Sequence, residues 1–145
     1  MRPPSIVMFE RLFLASLALS VIGFVVSYDA AMEQLAAEPV MESLGLGAGL
    51  VIGTMVFVTA IYLLLWFLIA HKASVVAKWI LVVFTAIGVA SFVTTLAIAT
   101  IPWDPAALLG VVMYALEIAA VVFLFRDDAK AWFSREWNVD AVTFN

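Results

Sequence analysis

The sequence contains no cysteine, which excludes disulfide bonds, thiolate metal sites and cysteine nucleophiles. The absence also excludes the redox-active cysteine pair that a small quinone-linked thiol oxidase needs. The only histidine is His71, so one chain cannot hold a haem iron between two histidines. His71 stands beside Lys72 and is interpreted as an interfacial residue. We therefore predict no metal site and no cofactor.

Charged residues are also scarce, at 12% of 145 residues, whereas 66% are hydrophobic and the mean hydropathy is +1.16. A soluble domain is about half apolar and about a quarter charged. A chain of this composition cannot cover a water-facing surface, so we expect lipid to be its solvent. The sequence predicts one membrane domain over residues 1–145.

Four segments contain the run of about 20 mostly apolar residues that a helix needs to cross a hydrocarbon core of about 30 Å. They cover residues 12–28, 44–70, 76–101 and 106–125. Helices are predicted because an isolated strand would leave its backbone groups unpaired in lipid. The predicted fold is all-α: an integral membrane antiparallel four-helix bundle with a cytoplasmic amphipathic C-terminal segment.

Basic residues are missing from one side of this predicted membrane domain. The acidic residues of that side are Asp29, Glu33, Glu38, Glu42 and Asp104. All seven basic residues fall on the other side, at Arg2, Arg11, Lys72, Lys78, Arg126, Lys130 and Arg135. The positive-inside rule then predicts that both termini are cytoplasmic. A signal peptide over residues 1–28 is the competing interpretation, but Tyr28 and Asp29 stand where its cleavage site needs small residues.

Three segments outside the spans have helical patterns. Residues 29–43 contain good helix formers before Pro39, and a short helix on the outer surface is predicted there. In the stretch "FERLF", Phe9 and Arg11 are predicted to anchor the chain at the cytoplasmic interface. Residues 126–137 form an amphipathic pattern that favours a helix along the same interface or against a cytoplasmic partner. Its apolar anchors are Trp132, Phe133 and Trp137.

Small residues recur at the start of the second span, where Gly45, Gly49 and Gly53 share one helical face. Such a face lets two helix backbones approach closely in lipid. We expect helix packing here, either within the chain or against another subunit.

One acid interrupts the apolar spans: Glu117, in "MYALEIAAVV", near the middle of the fourth segment. A charged carboxylate at this depth costs on the order of 3 kcal/mol, so the neutral acid hydrogen-bonded to hydroxyl groups is expected. Tyr114 shares its helical face. An antiparallel bundle is expected to bring hydroxyl residues of the other spans to the same depth: Ser20, Thr59, Tyr62 and Ser91.

Three interpretations of Glu117 stay open: a hydrogen bond between helices, a site that takes up a proton or cation, and contact with another protein or a polar cofactor group. Transport sites usually contain several polar groups or broken helices. General acid–base catalysis needs a second positioned group, and a nucleophile needs a base beside it. The sequence contains neither pattern and has no phosphate-binding glycine loop, so we do not predict an enzyme.

The stretches "RPPSIVMFERLF" and "FRDDAKAWF" resemble the ends of small, uncharacterised four-span inner-membrane proteins of Gram-negative bacteria. Those proteins commonly have proline where this chain has Asp127. The resemblance covers both ends and the span layout; it implies the bacterial inner membrane and no particular activity.

The absence of catalytic motifs and the resemblance, which implies no particular activity, favour a non-catalytic accessory or scaffold subunit of a membrane complex or homo-oligomer. The alternative is a small proton- or cation-coupled transporter or channel that uses Glu117. The expected partners are the lipid bilayer and a membrane protein or second copy bound through the Gly45/Gly49/Gly53 face, and no nucleic acid.

Overall fold

Four long α-helices dominate the fold in a computed structural model that describes residues 2–37, 47–98 and 105–134. They are α1 (Pro4–Ala36), α2 (Ala48–Lys72), α3 (Val75–Ile98) and α4 (Pro105–Phe123). Residues 127–134 form a further helical segment. All four long helices have the length and hydropathy to cross a membrane, which confirms the predicted all-helical class and the four apolar segments.

Helix α1 is longer than predicted at both ends. It begins at Pro4 rather than near Leu12, and it continues to Ala36 through the segment predicted as a separate surface helix. Proline is suited to the first helical turn because its missing N–H would have no partner there. The segment after Tyr28 contains alanine, methionine, glutamate and leucine, which favour helix, so nothing in it ends α1. With 33 residues, α1 is about 50 Å long and extends beyond the hydrocarbon core.

The connection between α2 and α3 is a two-residue turn, Ala73 and Ser74. Ala73 has a left-handed backbone with φ 52°, and the Ser74 N–H donates to the Leu68 carbonyl at 3.1 Å to close α2. The Ser74 Oγ accepts a hydrogen bond of 3.2 Å from the Ala77 N–H and so caps α3. The turn makes α2 and α3 sequential neighbours with contacting faces.

The buried core lies at one end of the helices. It combines the start of α1, the end of α2, the start of α3, the end of α4 and the segment 127–134. Its largest fully buried side chains are Phe9, Phe13, Ile6, Ile69, Leu81 and Leu124. In the other half of the helices, Val25, Val56 and Val93 are more than half exposed, at 68%, 62% and 57%. Lipid can solvate this exposed apolar surface, so the far half needs no core of its own.

Two of the predicted interfacial anchors lie in this core. Phe9 is fully buried and its ring stacks on Phe13 at 5.3 Å, and Phe133 is 4% exposed in the same cluster. Both side chains pack against other helices, since the segment 127–134 turns its apolar face to them, and their place at the membrane interface stays a prediction. Trp132 is half-buried, and its Nε1 donates to the Ile69 carbonyl at 3.3 Å. Arg11 is exposed, and Trp137 lies outside the described residues.

A carboxylate joins the two ends of the chain. Asp128 accepts the backbone N–H of Ser5 at 3.0 Å and the Ser5 hydroxyl at 2.7 Å. Ser5 is in the first turn of α1, where N–H groups have no helical partner and a negative charge is favoured by the helix dipole. Both hydrogen bonds hold the pKa of Asp128 below its ordinary value.

We expect Asp128→Asn to lower the thermal stability of the protein at neutral pH. Because the folded pKa of Asp128 is depressed, its stabilisation is complete above the unfolded value of about 3.9 and is lost as pH falls through the folded value. The variant should therefore show a flatter dependence of melting temperature on pH between 7 and 3, measured by circular dichroism in mild detergent. Asp127→Asn is the control, since Asp127 is exposed and pairs only with exposed Lys130 at 2.8 Å. Identical pH profiles for wild type and Asp128→Asn would contradict the prediction.

Candidate functional site

Glu117 is buried between α4 and α3, with 5% of the residue exposed. The Thr85 hydroxyl donates to its Oε1 at 2.7 Å, and Thr85 is equally buried. Sequence reasoning placed Ser91 at this level and missed Thr85. Ser91 is exposed, and its backbone carbonyl accepts the Thr95 hydroxyl. Ser91 is six residues, or about 9 Å, farther along α3 than the residue that bonds Glu117.

Two glycines set the register of α3 against α4. A Cβ atom at Gly88 would lie 3.2 Å from the Tyr114 ring, and one at Gly110 would lie 2.7 Å from the Phe92 ring. The two rings contact each other with centroids 5.0 Å apart. The glycines therefore make the room in which the rings pack, and this packing brings Thr85 opposite Glu117.

The described part of the glycine face predicted for helix packing, Gly49 and Gly53, has no partner among residues 2–37, 47–98 and 105–134. Cβ atoms at Gly49 and Gly53 would meet nothing within 4 Å among the described residues. Gly45 lies outside those residues. The start of α2 thus carries an open face of small residues in the half of the protein that lacks a core.

A cavity of about 200 Å³ lies beside Glu117, between α1, α2 and α4. It brings together most of the hydroxyl residues that the sequence predicted around this acid and adds one more, Ser16. The hydroxyls along its wall belong to Ser16, Ser20, Thr59, Tyr62 and Tyr114, and the apolar part is Leu17, Met55, Val58 and Met113.

The hydroxyls of α1 are already engaged by their own helix. Ser16 donates to the Phe13 carbonyl and Ser20 to the Leu17 carbonyl, each at 2.8 Å. Their oxygens keep lone pairs for a donor in the cavity. A neutral Glu117 has one O–H to donate, so these oxygens are suitable acceptors for it directly or through water.

Aromatic rings separate the cavity from the buried core at one end of the helices. The Phe13 ring stacks on Tyr62 at 6.0 Å, and Tyr62 contacts Phe84 at 6.3 Å. Phe13 is only 1% exposed. A solute in the cavity therefore meets a packed layer of side chains on the core side.

The cavity has room for several water molecules, each of which occupies about 30 Å³ in the liquid. Glu117 and the surrounding hydroxyls suit a proton, a small cation or the polar group of a partner. Within residues 2–37, 47–98 and 105–134, no group of three His, Cys, Asp or Glu residues is arranged to hold a metal ion.

The four apolar helices, exposed to lipid along most of their length, fit a multi-pass membrane protein. No protein-family model, curated protein or solved structure matches the chain. Its site is therefore interpreted from its own geometry.

We expect Thr85→Val, which keeps the side-chain shape and removes the hydroxyl, to lower the free energy of unfolding. The effect should be about 0.6 kcal/mol and at most about 1.7 kcal/mol, as for other hydrogen bonds between membrane helices. A double-mutant cycle with Glu117→Gln, measured by reversible unfolding in detergent, isolates the coupling between the two side chains. Thr94→Val is the matched control because its hydroxyl is exposed and donates only to the Ala90 carbonyl of the same helix. A coupling near zero for Thr85 and Glu117 would refute the role of their hydrogen bond.

Proposed function

We propose that the chain forms an antiparallel four-helix bundle in the bacterial inner membrane, with both termini in the cytoplasm. Contacts of α1 with α2 and α4, and of α3 with the same two helices, support a closed bundle. Side chains of α3 and α4 meet in reverse order along the chain: Thr85 with Glu117, then Phe92 with Tyr114. The basic residues of the core end support the orientation, and the resemblance of the chain ends supports the inner membrane.

Within this membrane, we propose that the protein acts as a non-catalytic accessory or scaffold subunit of a complex or homo-oligomer. The observation that carries the proposal is the open glycine face of α2, Gly49 and Gly53. A glycine inside a helix is destabilising by about 0.5–1 kcal/mol relative to alanine, and no contact among the described residues offsets this. A second helix packed on the face would offset it, because small residues permit close backbone approach in lipid.

The surroundings of Glu117 support a non-catalytic role. The cavity wall contains hydroxyls and apolar side chains but, within the described part of the chain, no lysine, histidine or second carboxyl group. General acid–base chemistry relies on a further group positioned for proton transfer. The hydrogen bond from Thr85 instead gives Glu117 a role in joining α3 to α4.

We expect Gly53→Leu to remove the partner and to leave the folded chain intact. A Cβ atom at Gly53 would meet nothing within 4 Å among the described residues, so helicity and melting temperature should stay near the wild-type values. The partner or oligomer is identified after extraction from native membranes in mild detergent, by light scattering and mass spectrometry of the co-migrating material.

Gly23→Leu is the matched control, since Gly23 is equally open but lies on α1. It should keep the partner. A wild-type chain that elutes as a lone monomer, or a Gly53→Leu variant that keeps its partner, would count against the subunit proposal.

A second candidate function is a small proton- or cation-coupled transporter or channel that uses Glu117. The cavity beside this acid favours it, because bound water or a cation needs such space. The continuous helices weigh against it, since transport sites are typically formed at broken helices. The ring layer at Phe13 and Tyr62 also closes the core side.

We therefore expect wild-type protein in liposomes to carry no proton or cation flux above that of protein-free vesicles, measured with an internal pH dye and a cation-sensitive dye. Glu117→Gln should give the same background. Glu10→Gln serves as the control acid, because Glu10 pairs with Arg2 at 2.6 Å away from the cavity. Flux that is present in wild type, absent in Glu117→Gln and kept in Glu10→Gln would favour the transporter over the subunit.

A further inference from the structure

Lys78 has little exposed surface and, among the described residues, no ion-pair partner. It lies in the first turn of α3, and 9% of the residue is exposed. Its Nζ lies over the rings of Phe133, Phe125 and Trp79, at 4.7, 4.8 and 5.7 Å from their centroids. The ion pairs of the described residues join Arg2 to Glu10 and Lys130 to Asp127, and neither includes Lys78.

Among the described residues the Lys78 nitrogen is not enclosed, and aromatic rings are the groups beside it. Ring faces attract a cation, but they accept none of the three N–H bonds that an ammonium donates in water. A second cation, Lys130, belongs to the segment 127–134 that also carries the Phe133 ring, and it pairs with Asp127 at 2.8 Å. The surroundings therefore favour a bound anion.

Two of the rings around Lys78 belong to the exposed apolar surface of the helices. Trp79 and Phe125 pack edge to face at 5.7 Å and are 53% and 38% exposed on the outside of the helices. A shallow apolar groove of about 420 Å³ includes the same tryptophan and runs along α3. From Val75 to Phe84 it covers about 14 Å of helix length. It is lined by Val75, Val76, Trp79, Ile80, Val83 and Phe84.

We propose that this surface binds an anionic phospholipid, with its phosphate at Lys78 and an acyl chain in the groove of α3. The positive charge of Lys78 favours an anionic lipid. A phosphate supplies a negative charge and hydrogen-bond acceptors, whereas the groove offers only apolar contact. The level of the site agrees with a headgroup: Lys78 is at the start of a membrane-spanning helix, and the site lies in the cytoplasmic leaflet in the proposed orientation. Anionic lipids attract basic residues in that leaflet.

The test measures lipid retention by the full chain in detergent, which is independent of membrane orientation and of any protein partner. Purified protein is incubated with phosphatidylglycerol or phosphatidylcholine of identical acyl chains, and bound lipid is counted by native mass spectrometry. Wild type should prefer phosphatidylglycerol. Lys78→Gln should lower that preference about fivefold, the usual contribution of one basic residue near a membrane surface. Lys72→Gln is the matched control, since Lys72 is exposed at the end of α2 and takes no part in the aromatic ring contacts.

Two further variants keep the proposal testable if Lys78→Gln does not fold. Lys130→Gln changes an exposed residue and should lower the preference in the same direction. Val83→Trp fills the groove and should reduce retention of both lipids without changing the preference. The proposal is overturned if wild type shows no preference, if the folded lysine variants match Lys72→Gln, or if Val83→Trp retains both lipids like wild type.

Discussion

Lipid around the helices is the constraint on which the rest of the structure depends. In water the exposed valines of α1, α2 and α3 would have to be buried, and the described residues do not cover them. In lipid they need no cover, so helix association has to come from close packing and polar contacts. The described residues provide both close packing and polar contacts. The core occupies one end, the contact of Ser5 with Asp128 joins segments distant in sequence, and the contact of Thr85 with Glu117 joins the consecutive helices α3 and α4.

The sequence predicts the helical class and the spans well because both follow from long-range averages of hydropathy, which single residues do not alter. Contacts between helices follow from individual atoms. Thr85 was missed because the register of α3 on α4 depends on the space left at Gly88 and Gly110. A better signal was available: Thr85 lies seven residues after Lys78, and Glu117 lies nine residues before Arg126, so both are at a similar depth from their basic flanks.

The interfacial segments illustrate a second limit of sequence patterns. An amphipathic helix has the same periodicity whether its apolar face meets a membrane surface or other helices. Phe133 and Phe9 meet helices, and nothing in their spacing distinguishes that outcome from a place in the lipid interface. The hydroxyl neighbours of Glu117 are easier to place, because polar residues are rare in the spans and few positions compete.

The first and last parts of the chain hold each other in place, and this has a consequence for biosynthesis. The N-terminal turn of α1 obtains its hydrogen-bond acceptor from Asp128, 123 residues later, and α1 also packs directly on α4. While the ribosome is still producing the middle helices, α1 has neither contact. Helix α1 can therefore make these contacts only after α4 and the segment 127–134 have been synthesised, and until then its first turns lack the partners that bury them.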